Sequence, residues 1–103
     1  MIPLSSRTTE LVKMIVSPEQ QADVIALLEN ECADNLPFSE NKSPIALERL
    51  RFAVLKIGKG NIDNLLEAVE LAQVDWRDLL VAADFAHDIG SHLLWAKDEF
   101  GVE

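Results

Sequence analysis

The stretch SPIALERLRFAVLKIGKG, residues 43–60, carries apolar side chains on more than one side of a helix. Leu47, Leu50, Val54 and Ile57 recur at helical spacing along one face, whereas Ile45 and Phe52 lie well round from it. Such a helix has to bury both sides, so it sits at the centre of a bundle or carries an association surface. Ser43 ahead of Pro44 marks its start, a capping hydroxyl before a proline in the first turn. Gly58 and Gly60 suit its close. Arg49, Arg51 and Lys56 make it the one helix whose exposed charges are expected to be mainly basic.

The same periodicity recurs along the chain. In NIDNLLEAVELAQ, residues 61–73, Ile62, Leu65, Leu66, Val69 and Ala72 form one stripe behind an Asn61 cap. SPEQQADVIALLENECA, residues 17–33, opens on Ser17 as cap and Pro18 in the first turn, with Gln20 three after the cap. Its stripe is Val24, Ile25, Leu28 and Cys32. DWRDLLVAADFA, residues 75–86, opens on Asp75 as cap, with Asp78 where the helix dipole favours negative charge. GSHLLWAKDEF reads as a last short helix, and its Trp95 as a core residue. Leu11, Met14 and Ile15 fit a helix within residues 5–16, where a strand over 11–16 stays open. The longest loop, residues 34–44, holds Leu36 and Phe38, which are expected to pin it to the core. The fold class is therefore all-α, a compact bundle of five or six short helices in a single domain over residues 1–103. Leu65, Leu66, Val69, Trp76, Leu79 and Leu80 are expected to share its core.

Charge narrows the function classes. The net charge is −9, with 49% hydrophobic and 26% charged residues, too apolar for disorder. Residues 1–60 carry seven basic and eight acidic side chains, and residues 61–103 carry two and ten. That surface repels phosphate backbones, so no direct nucleic-acid binding is expected. The longest apolar runs, LLVAA and FAVL, are far shorter than the roughly 20 residues of a membrane span, and MIPLSSRTTE lacks the regions of a signal peptide. One cysteine, Cys32, forms no internal disulfide and favours the reducing cytoplasm. Its acidic neighbours disfavour a thiolate, so it reads as a core residue.

Potential ligands crowd together only in DWRDLLVAADFAHDIGSH, residues 75–92, which holds both histidines and Asp75, Asp78, Asp84 and Asp88. On an unbroken helix, Asp84, Asp88 and His92 would share a face able to grip a divalent metal, with His87 beside them. Gly90 interrupts that helix, and His87 then falls in its last turn, where a cation suits the dipole. The adjacent His87–Asp88 pair resembles part of a metal-phosphohydrolase signature, but no other histidine stands upstream. No phosphate loop, dinucleotide fingerprint, paired-cysteine motif or nucleophile elbow is present.

The stretch RFAVLKIGKGNIDNLLEAVELAQVDWRDLLVAADFA resembles short bacterial proteins of unknown function, and that resemblance implies no activity. The expectation is a small acidic cytoplasmic module, bacterial in character, that acts through protein–protein interaction and takes no cofactor. Homodimerisation through Ile45 and Phe52 is the expected self-contact. The alternatives are a small metal-dependent enzyme using Asp84, His87, Asp88 and His92, or an acidic mimic of nucleic acid. Divalent-metal titration and competition with DNA for a basic partner would separate them.

Overall fold

Five of the six helices begin or end on local chemistry visible in the chain. The computed structural model describes residues 2–33 and 43–103, so the expected anchoring by Leu36 and Phe38 lies outside the described residues. Helix α1 spans Ser6–Ile15, which removes the strand alternative, and Ser5 caps it by accepting from the Thr8 amide. Ser43, Asn61 and Asp75 do the same for α3 (Pro44–Gly58), α4 (Ile62–Val74) and α5 (Trp76–Ala82). Each such cap satisfies an otherwise orphaned amide and contributes about 0.5–2 kcal/mol. Ser17 is different. It precedes a single 3-10 turn over Pro18–Gln20 without a side-chain cap to the backbone, and α2 begins only at Gln21, running to Glu31. Helix α6 spans Ser91–Phe100 and closes on Gly101 at a positive φ of 69°.

Helix α3 is the axis of the bundle, packed against α1, α4, α5 and α6, while α2 packs on α1 and α4. Nine of its fifteen residues are buried, among them Glu48, Arg51 and Phe52. Two sequence expectations are thereby corrected. Phe52 is fully buried, whereas Ile45, at the first turn, is exposed, so the two do not form a shared surface for a second copy. Arg49, Arg51 and Lys56 are not a solvated face either. Arg51 bonds the carbonyls of Cys32, Pro3 and Ile2. Lys56 bonds that of Ala83 at 2.7 Å and Arg49 that of Phe85. Arg51 is buried and Arg49 and Lys56 are half-buried, so each guanidinium or ammonium takes carbonyl oxygens from neighbouring segments of chain.

On α4 the buried stripe is Leu65, Ala68, Val69 and Ala72. Leu66, expected in the core, is 48% exposed. At about 100° per residue it lies beyond the edge of that stripe, and the small Ala68 takes the inward position instead. Leu65→Ala is accordingly expected to cost about 2–5 kcal/mol and Leu66→Ala under about 1 kcal/mol in urea unfolding. Equal losses would mean that α4 is rotated from this placement.

The turn between α3 and α4 shows which of its residues are constrained. Lys59 and Gly60 both have positive φ, 50° and 81°. A Cβ on Gly60 would stand 2.6 Å from the Ile15 carbonyl oxygen, so this glycine lets the end of α1 approach the turn. Gly58 is still helical and leaves room for Leu65. None of the described helices is long and apolar enough to cross a membrane.

Candidate functional site

The four candidate ligands do not converge. Helix α5 stops at Ala82 because Asp84 adopts a left-handed conformation, φ 64°. The Asp84 amide then bonds Val81 and the Phe85 amide bonds Leu80 at 2.8 Å, a paired closure that ends a helix firmly. His87 therefore lies beyond the helix rather than in its last turn, which removes the dipole role expected for it. Asp84 and His87 form an exposed pair at 3.9 Å. Asp88 accepts from the Gly90 amide at 2.9 Å and shapes the turn into α6. His92 points inward and is fully buried. Among the described residues no three histidine, cysteine, aspartate or glutamate side chains are grouped to hold a metal.

His92 belongs instead to a polar network inside the bundle. Its Nε2 lies 3.3 Å from Glu48 Oε1. The other Glu48 oxygen accepts from Ser5 Oγ at 2.7 Å and Arg7 Nε at 3.2 Å. Phe52 and Phe85 meet the imidazole edge-on, and its Nδ1 has no hydrogen-bond partner. Against the Glu48 carboxylate Nε2 donates, leaving Nδ1 a bare acceptor; a second proton there would be buried without a partner. Burial pushes the His92 pKa down; the Glu48 bond and charge oppose this, and Arg49 and Arg7 add to it. Through Arg7, Glu48 and His92 this network ties α1, α3 and α6 together.

A pH dependence follows. With the folded pKa below the unfolded one, the unfolded chain takes up a proton at His92 that the folded chain refuses. Stability should fall as pH drops below about 6.5, by up to about 1.4 kcal/mol per pH unit. The decline should be shallower in His92→Asn, measured by urea unfolding at several pH values. Parallel curves for the two proteins would assign the acid sensitivity elsewhere.

Cys32 is equally internal. Burial pushes its thiol up to about 12, with the Arg51 charge working against that. Burial, rather than the neighbouring acids, is what disfavours the thiolate.

The open chemistry lies on the outer side of α5. Arg49, Trp76, Arg77, Leu80, Val81 and Ala86 line a cleft of about 360 Å³. Leu80 is buried beneath it, and Val81 stands 65% exposed. Val74 and Ile89, on the adjoining segments of chain, are 77% and 53% exposed. The Arg77 guanidinium lies 5.2 Å from the centre of the Trp76 ring, within cation–π range. Arg49 reaches the cleft from α3 and is held there by the Phe85 carbonyl through Nε and one terminal nitrogen. Neither arginine has a carboxylate within ion-pairing distance among the described residues.

The stretch that draws attention in the sequence thus holds the site, but through other residues. Asp84, Asp88 and the histidines suggest a metal, whereas Trp76, Arg77, Val81 and Ala86 form the surface feature. Arg49 comes from 28 positions before Arg77, and only the packing of α3 on α5 joins them. Glu48 escapes the sequence reading as well. Its signal is that it is the one acid in a helix whose other charges, Arg49, Arg51 and Lys56, are all basic. Comparison with family models, curated proteins and solved structures finds no match.

Proposed function

We propose that this chain is a protein-binding module that acts through the α5 cleft. One observation carries the reading: the two most exposed large apolar side chains among the described residues, Val74 and Val81, stand at the end of α4 and on α5, the latter in the cleft itself. Burying exposed apolar surface on a partner returns about 25 cal/mol per Å² before association costs, so such side chains favour contact over solvent. Aromatic and arginine side chains beside them are the types enriched where binding energy concentrates. A buried thiol in a single-cysteine chain suits a reducing, cytoplasmic setting.

A photoreactive benzoylphenylalanine in place of Val81 tests this in native cells. A discrete protein adduct should form from position 81 and not from the same residue placed at Glu67, on the exposed side of α4. No adduct at position 81, or the same adducts from both positions, would refute docking at the cleft.

A further inference from the structure

Resting on the reading of the α5 cleft as a docking surface, we infer that its occupant is a protein segment presenting one carboxylate beside apolar side chains. The carboxylate sits between Arg49 and Arg77, and an apolar side chain lies against Leu80, Val81 and Ala86.

The charge pattern singles out this cleft. Acids outnumber bases 18 to 9 in this chain, yet Arg49 and Arg77 line one cleft with no carboxylate in ion-pairing distance of either among the described residues. Arg49 uses Nε and one terminal nitrogen on Phe85. Its remaining terminal nitrogen has no bond and is not buried, since the one buried side-chain nitrogen or oxygen without a partner among the described residues is His92 Nδ1. Arg77 is exposed and engages only a ring face, which leaves its donors open. The planar fork of arginine matches a carboxylate with two parallel hydrogen bonds, stronger than bonds between neutral groups. Asp88 is the internal carboxylate whose charge Arg49 feels. It acts through space, and its Oδ1 is already engaged by the Gly90 amide.

A second cleft, of about 430 Å³ between α1, α3 and α6, also has basic residues, Lys56 and Lys59. There the Lys56 ammonium is bonded to Ala83 and lies over the Phe85 and Trp95 rings, so its charge is already engaged. The net charge of −9 limits the partner further. A run of acids would be repelled as it approached, whereas a single carboxylate meets the arginines inside the roughly 8–10 Å over which salt screens the rest.

The test uses the whole protein and two terminally blocked peptides, Ser-Leu-Glu-Leu-Ser and its counterpart with Gln for Glu. Binding is followed by NMR shifts of the Arg side-chain NεH groups and the backbone amides of residues 76–86. The Glu peptide should shift the cleft saturably and bind about fivefold tighter than the Gln peptide, a preference that Arg77→Gln abolishes. Arg77 is exposed, so that variant keeps the fold, which circular dichroism verifies. Equal binding of both peptides at the cleft overturns the carboxylate and leaves docking standing. A preference that survives in Arg77→Gln, shifts centred on Lys56 and Lys59, or no shifts from either peptide also overturn the inference. The docking reading falls separately, if position 81 gives no specific adduct in cells.

Discussion

Replacing Arg51 with methionine is expected to lower stability by about 3–5 kcal/mol, although the side chain reads from the sequence as part of an exposed basic face. The guanidinium is 2% exposed and bonds the carbonyls of Cys32 at 3.1 Å, Pro3 at 3.1 Å and Ile2 at 2.7 Å. Hydrogen bonds to a charged group contribute about 1.5–3 kcal/mol each, and water recovers part of that at the strap while the Cys32 carbonyl stays buried. The strap is also held by the Ile2 amide on the Glu29 carbonyl and by the Leu4 amide on the Glu29 side chain. Arg51→Met should therefore speed amide exchange and proteolysis around residues 2–5 as well as shift urea unfolding. A loss below about 1 kcal/mol with unchanged exchange would show that the strap holds without Arg51.

Phe52→Ala should cost a similar amount, about 3–5 kcal/mol, the range for truncating a buried aromatic. The ring is fully buried and meets His92 at 5.1 Å and Trp95 at 6.3 Å, centre to centre, both edge-on. Its removal leaves a cavity between α3 and α6 and strips the ring that flanks the Glu48–His92 pair. The loss should not depend on protein concentration, because the ring packs within the chain and not on a second copy. A concentration-dependent unfolding midpoint that Phe52→Ala removes would return the ring to an interface.

Those two positions mark how far the helical pattern carries. Local chemistry is legible wherever it depends on residues within one turn of each other: the caps at Ser43, Asn61 and Asp75, the apolar spacing of α4, and the all-α class that follows. The start of α2 is misread because Ser17 and Pro18 open a 3-10 turn equally well. The end of α5 is misread because Asp84, not Gly90, takes the left-handed position that closes it. Aspartate reaches that conformation at small cost, and the closing hydrogen bonds around it offset that cost.

The facing of α3 is a different kind of question. Its composition shows that it buries more than one side, and it leaves two outcomes, a centre or an interface. Packing decides for the centre, with α1, α4, α5 and α6 around it, so Glu48, Arg51 and Phe52 all turn inward together. The site follows from the same packing. Residues 75–92 are conspicuous by composition, yet the side chains that meet at the α5 cleft include Arg49 from α3 and exclude His92, which is drawn to Glu48. Local hydrogen bonds and apolar spacing are short-range and act along the chain, so the sequence by itself determines the helices. Which cations find carbonyls and which stay open to solvent depends on contacts between elements far apart in the chain, and only the tertiary structure decides that.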